Sequence, residues 1–176
     1  MFRCGDIGFR VVEERDLDRI RALRNNPSTW IHLTDISAIS AEAQQEWFLT
    51  ISRRSDRGYF VVFDDTCDFI GIVRMDEIDR VNRSIRVGAD VVPELRGRGY
   101  GHKIYKALKK YCFDYLNMHR VWLAVLSSNE RATHLYEKQG FKIEGRYREA
   151  IFRDGKYLDY ILMSILEGEY KHDSTL

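Results

Sequence analysis

Apolar residues along the 176-residue chain either alternate with polar ones or recur every third or fourth position, and the changes of period divide it into short elements. Residues 9–12 alternate as a strand. Leu17, Ile20 and Leu23 then recur at helical steps, and Arg24-Asn25-Asn26-Pro27 ends that helix because the residue before a proline avoids the helical region. Ser40 is a suitable cap for a second helix, in which Ala43, Trp47 and Ile51 share a face and which Gly58 closes. Residues 59–63 and 69–75 are β-rich runs joined by the polar stretch 64–68, so they read as an antiparallel hairpin, and 84–92 resumes an extended pattern.

A long helix follows over 99–115, with Ile104, Leu108, Tyr111 and Tyr115 at helical spacing. Residues 121–126 form a strand, and 129–139 a helix stopped by Gly140. The last two strands, 141–152 and 156–165, flank Arg153-Asp154-Gly155, whose Asp-Gly pair signals a hairpin. This order predicts one α/β domain over 1–166 around a mostly antiparallel sheet, with a polar tail at 167–176.

Charge and composition narrow the chemistry. With 28 basic and 27 acidic residues the net charge is +1, which argues against a dedicated nucleic-acid or membrane-surface protein. No apolar run approaches the ~20 residues of a membrane span. Charges interrupt the N-terminal stretch where an export signal would be apolar, so a cytoplasmic location is expected. Cys4, Cys67 and Cys112 form no C-x-x-C pair and read as reduced thiols, and the five scattered histidines give no support for a metal site.

The most informative segment is Val91-Val92-Pro93-Glu94-Leu95-Arg96-Gly97-Arg98-Gly99-Tyr100-Gly101, a strand end that passes through a glycine-rich turn into a helix. Backbone N–H groups in such a turn point one way and, with the helix dipole, suit a phosphate or pyrophosphate. Gly99 and Gly101 would let the anion approach closely, and Arg96 and Arg98 would add positive charge. A Walker loop fails because Lys103 is followed by Ile104, and the dinucleotide fingerprint fails because position 102 is histidine.

What does fit is Arg-x-x-Gly-x-Gly at 96–101, together with Asn129-Glu130-Arg131-Ala132 opening a helix and Leu135-Tyr136-Glu137-Lys138-Gln139-Gly140-Phe141 closing it. In these motifs the chain resembles the GCN5-related N-acetyltransferases, the GNAT family. The resemblance implies a mixed sheet splayed at an acetyl-CoA site, with helices on both faces. It places the pantetheine arm of acetyl-CoA along Val91 and Val92 like an added strand, the pyrophosphate on the amides of Arg96, Gly97, Arg98, Gly99, Tyr100 and Gly101, and Asn129 and Tyr136 near the thioester. Asn129 and Tyr136 lie two helical turns apart and so share a face. Tyr136 is the candidate acid for the departing thiolate, since a phenol with a pKa near ~10 suits it.

Many members carry a glutamate base two residues before the glycine of the strand leading into the turn. Here Gly88 is that glycine and Arg86 holds the glutamate position, which moves the search for a base to Asp76 and Glu77, with His32 or a water relay also open. Arg24-Asn25-Asn26-Pro27 followed by Trp30 resembles the members that acetylate nucleotide-linked amino sugars. On that likeness Trp30 stacks on the acceptor, Asn25 lines its site, and Arg24 or Arg86 meets a phosphate. The expectation is therefore an N-acetyltransferase of a small amine, foremost an amino-sugar nucleotide. A ribosomal-protein N-terminus or a polyamine is the alternative, the polyamine ranked lower because the first hundred residues hold no dense acidic cluster. A CoA-binding module without turnover is the alternative of another class. Assembly as a homodimer is also left open.

Overall fold

The N-terminal alternation yields two strands, β1 (Phe2–Cys4) and β2 (Ile7–Val11), joined by a turn with Gly5 at φ 61°. Three residues before a glycine are too few for a period to register, so β1 was not expected. The structure is a computed structural model and describes residues 1–51 and 53–173. A 3₁₀ turn leads into α1 (Leu17–Asn25), where Leu17, Ile20 and Leu23 are buried as their spacing requires. A one-turn helix, α2 (Pro27–Trp30), follows directly: Asn26 Oδ1 accepts the Ser28 N–H at 3.0 Å and Pro27 occupies the first helical position. Ser40 Oγ accepts the Ala43 N–H at 3.1 Å and caps α3 (Ala41–Ile51). Gly58, expected to close that helix, instead opens β3 (Gly58–Phe63).

After β3 come β4 (Gly71–Asp79), β5 (Ser84–Val91), α4 (Tyr100–Lys110) with a wider π turn to Tyr115, β6 (Arg120–Leu126), α5 (Glu130–Lys138), β7 (Lys142–Arg153), β8 (Lys156–Leu166) and α6 (Glu167–Asp173). The Asp154-Gly155 turn has both residues at positive φ, 47° and 74°, as its hairpin type demands. The segment read as a polar tail is helical through Asp173, and Tyr170 stacks on Phe113 with ring centroids 4.8 Å apart. Residues 174–176 of that expectation lie outside the described residues.

The strands form one sheet in the order β1-β2-β3-β4-β5-β6-β8-β7. Every neighbouring pair is antiparallel except β5 and β6. Apolar residues cover both faces, which is why β3 reads Tyr-Phe-Val-Val-Phe without alternation. Val62, Val73, Met75, Ile85 and Val87 pack with Ile104 and Leu108 of α4, while Val61 and Ile72 pack on the other face with Ile20 and Leu23 of α1.

Helix α1 is tied to the sheet by a buried ion pair. Asp16 Oδ1 and Oδ2 each accept a hydrogen bond from the Arg10 guanidinium at 2.7 Å, and the Glu13 N–H adds a third at 2.9 Å. Burial opposes charge on this carboxyl, but Arg10 and the Glu13 amide more than offset it and hold it below its ordinary 3.8. A depressed carboxyl contributes stability above that ordinary value and loses it as pH falls through its folded value. Asp16→Asn would strand the Arg10 guanidinium, which is only 12% exposed, so we expect a loss of about 3 kcal/mol. Urea midpoints at pH 7 check this; an unchanged midpoint would assign the anchoring of α1 to its apolar face alone.

Candidate active site

The parallel pair makes the site. β5 and β6 are in register only over Ser84–Arg86 and Arg120–Trp122, after which β5 follows β4 as far as Val91 while β6 follows β8 to Tyr160. The strands therefore diverge, and a cleft of about 870 Å³ opens between them, floored by α4 and α5. Val92 N–H reaches Ile70 O at 2.9 Å, so ladder parity turns the amides of Asp90 and Val92 toward β4 and those of Ala89, with the Val91 N–H, into the gap. Val92 is thus already used inside the sheet, contrary to expectation, and Ala89 takes its place in the exposed edge.

At one end lies the glycine turn. Gly97 and Gly99 sit at φ 83° and 84°, a conformation that favours glycine, and Gly99 caps α4. A Cβ at Gly99 would meet nothing within 4 Å, so open space lies over the turn. Gly101 has a different cause: a Cβ there would stand 2.9 Å from Leu135 Cδ2, so its missing side chain lets α5 pack on α4. The Tyr100 hydroxyl is bonded to Asp64 at 2.9 Å.

Arg96 does not serve the turn as expected. Its Nε donates to Val91 O at 2.9 Å and its Nη1 to Ser28 O and Oγ at 3.0 and 2.8 Å, with Nη2 on Thr29 Oγ1. It fastens α2 to the end of β5. Arg98 is exposed and does not line the cleft, whereas Arg131, in the first turn of α5, stands 3.7 Å from where a Gly97 Cβ would be. Sequence reasoning missed Arg131, because only packing of α5 beside the turn brings it there.

Deeper in the cleft, the Tyr105 and Tyr136 hydroxyls are 3.3 Å apart, with ring centroids at 5.0 Å. Burial raises the Tyr136 pKa, and the hydrogen bond from Tyr105 offsets part of that rise. Tyr105 itself is pushed well above its ordinary value by burial, then by Tyr136. Tyr105 therefore donates and Tyr136 accepts, which leaves the Tyr136 proton available to the cleft. Asn129 lines the cleft while its Oδ1 accepts the Ala132 N–H at 3.2 Å as the cap of α5.

The expected bases, Asp76 and Glu77, both line the cleft but are held differently. Asp76 lines the cleft and accepts from the Tyr59 hydroxyl at 3.3 Å. Glu77, at φ 51° on the β4 bulge, is 55% exposed and held by Arg86 at 3.2 Å, a surface ion pair. Arg86 also donates to the Tyr160 hydroxyl at 2.8 Å and lies over the Trp122 ring, so it bridges the base of the gap and is not free for an acceptor phosphate. Asp90, which sequence reasoning missed, lines the cleft with its Oδ2 buried and without a hydrogen-bond partner. His32 lines the cleft too, and burial followed by Arg96 holds its imidazole below its ordinary 6.5, neutral at pH 7.

Two acceptor-site expectations are corrected. The Trp30 indole N–H is bonded to Ile36 O at 2.5 Å, and Trp30 does not line the cleft. Asn25 exchanges two hydrogen bonds of 2.9 Å with the Ile39 backbone. Both side chains brace the loop between α2 and α3, and that loop sends His32, Leu33, Thr34 and Asp35 into the cleft instead. Arg24 is not a lining residue, although burial and then Arg74 depress its guanidinium.

The acetyltransferase (GNAT) domain model matches residues 6–142, spanning the splayed strands, the glycine turn and α5. The chain belongs to the GNAT acetyltransferase family. It is 32% identical to the spermidine N(1)-acetyltransferase of Vibrio cholerae serotype O1 over 94% of this chain and 96% of that protein. An L-amino acid N-acetyltransferase of Escherichia coli (strain K12) is 27% identical over 90% of this chain and 97% of its own length. Among solved structures, the Vibrio cholerae spermidine N-acetyltransferase in complex with CoA and spermine superposes with a TM-score of 0.89 at 32% identity, covering 96% of this chain and 99% of that one. A dodecameric structure of the same enzyme gives 0.82 at 32% identity, over 97% and 99%.

As a GNAT member the chain is an acetyl-CoA-dependent N-acetyltransferase. The open space over Gly99, the left-handed turn and the unpaired edge of β5 fit that cosubstrate. These relatives are named for spermidine and for L-amino acids, and not for the nucleotide-linked sugar expected from the α1–α2 segment. Among the described residues no helix is long and apolar enough to cross a membrane.

Proposed function

We propose that the chain acetylates a primary amine of a small molecule entering the cleft beside the α2–α3 loop; its relatives support a polyamine as the acceptor class, and the charges of its own cleft support an amine that bears an anion. Bound acetyl-CoA supplies an acetyl thioester whose sulfur leaves as a thiolate. The observation that carries the chemistry is the Tyr105–Tyr136 pair, in which Tyr136 keeps a proton to deliver at that sulfur. The Ala89 and Val91 N–H groups are aimed into the gap, where negative charge develops on a carbonyl oxygen, and the amides of the turn beneath Gly99 hold the pyrophosphate. Asp76 and Asp90 face the acceptor as carboxylates that bind an ammonium and take its proton, directly or through water. Self-association is supported by the dodecameric relative.

A second reading, an amine that also bears an anion, is favoured by the arginines Arg57 and Arg74 in the same wall. Thiol release from acetyl-CoA, followed with spermidine, spermine, L-amino acids and amino-sugar nucleotides as acceptors, separates the two. The polyamine reading expects kcat/KM highest for spermidine or spermine. Turnover confined to acceptors with a carboxylate or phosphate would replace it.

A further inference from the structure

Arg74 in β4 pairs across the ladder with Gly88 in β5, and its guanidinium lies over that glycine: a Cβ at position 88 would stand 2.8 Å from Nη2 and 3.2 Å from Cζ. The absence of a side chain at Gly88 gives the guanidinium its bed. Its counter-charge is weak, since Asp90 Oδ2 is 3.6 Å from Nη2, beyond hydrogen-bond reach. Arg74 Nε, Asp90 Oδ2 and Arg57 Nε are all buried without a hydrogen-bond partner in the protein. Arg57 has Asp56 at 3.6 Å, but that carboxylate is already held by two hydrogen bonds from Arg54.

Arg57 and Arg74 thus line the acceptor end with few bonds to anions, and Arg24 lies near Arg74 without lining the cleft. Burial and then the neighbouring Arg74 hold the Arg24 guanidinium below its ordinary value. Burial works against charge on Arg74, but Asp90, Tyr59, Asp76 and Tyr105 together more than offset it and hold the guanidinium above its ordinary value, and the field of Arg74 reaches Tyr105 and Tyr136. Arg57 and Arg74 line the cleft with side chains 33% and 26% exposed, so an anion bound there can meet guanidinium groups that the protein leaves short of acceptors. Of the carboxylates lining this end, Glu77 is held by Arg86 and Asp90 meets Arg74 only at 3.6 Å, so Asp35, Asp76 and Asp90 suit an ammonium but answer the cations incompletely. A polyamine brings only positive charge, whereas an acceptor with an amine and an anion matches both sets.

We infer that Arg57 and Arg74, reinforced by Arg24, form an anion subsite beside the reacting centre, so that the amine this chain acetylates carries a carboxylate or a phosphate. The inference rests on the second reading above and gives it a place in the cleft. A guanidinium meets either group through parallel hydrogen bonds.

The test compares matched acceptors: an L-amino acid against its amide, and an amino-sugar phosphate against the free amino sugar, with spermidine as the polycation. We expect the anionic member of one pair to exceed its neutral partner by about 10-fold or more in kcat/KM, and the pair concerned identifies the anion. Arg74→Gln should bring that ratio close to one with CoA affinity unchanged. Gly88→Ala, which keeps every arginine but displaces the guanidinium, should do the same. Equal rates within both pairs, spermidine outrunning every anionic amine, or an equal fall for both members in Arg74→Gln would each overturn the subsite. Calorimetry of the same pairs on CoA-loaded protein reads the preference without turnover. Equal affinities there sink the subsite, while a preference in binding without product would leave it standing and count against the acetyl-transfer reading of the residues.

Discussion

Tyr136→Phe is expected to lower kcat by about 10²-fold while leaving CoA affinity nearly unchanged, because the ring stays in place and only the proton source is lost. The Tyr105 hydroxyl then loses its acceptor, a buried donor whose cost of about 1–2 kcal/mol falls on stability and not on the transition state. The pH dependence gives an independent readout. A general acid must be protonated to act, and burial raises Tyr136 above its ordinary 10.0, so the alkaline limb of kcat should lie above pH 10 in the wild type and disappear in the variant. Steady-state turnover across pH, with CoA binding measured by calorimetry, checks both. Wild-type turnover, or an alkaline limb unaltered by the substitution, would return Tyr136 to a packing role against Tyr105 and Phe141.

Gly99→Val acts at the other end of the cleft and is expected to weaken CoA binding by about 100-fold, since a left-handed β-branched residue and a side chain in the anion's place together cost about 3 kcal/mol. The open space around position 99 means that the side chain meets no protein atom nearby, so the strain is confined to the turn. Gly101→Val is the contrasting case. Its Cβ would press on Leu135, so that variant should lose thermal stability first and CoA affinity as a consequence. Calorimetric titration with CoA, alongside thermal melts, distinguishes the two. Tight CoA binding by folded Gly99→Val would remove the turn from the cosubstrate site.

Much of the architecture was legible because its causes are local. The period of Leu17, Ile20 and Leu23 fixed the buried face of α1, Ser40 capped α3, Gly140 ended α5, and Asp154-Gly155 turned the last hairpin. The glycine turn was legible for the same reason, since left-handed residues and a helix start leave a mark on adjacent positions. The elements missed were short, β1 and α2, and too brief for any period to show. At 167–173 the polar composition hid a helix that Tyr170 docks through Phe113.

The functions of individual polar side chains were another matter. Arg96 and Arg86, read as cations for phosphates, are occupied: Arg96 by the nearby Val91 carbonyl and by Ser28 and Thr29 far away in sequence, Arg86 by Glu77 on the next strand and by distant Tyr160. Trp30 and Asn25 were drawn inward to hold a loop. Arg131, Tyr105, Arg74 and Asp90 reach the cleft only because α5 packs on α4 and β5 leaves β6. The sequence by itself determined the longer elements, the turn and the family of this protein, since backbone conformation and burial period are set by residues close along the chain. Which arginine stays free to meet a ligand was decided by the tertiary structure alone, because a long charged side chain bonds to whatever the fold places at its tip.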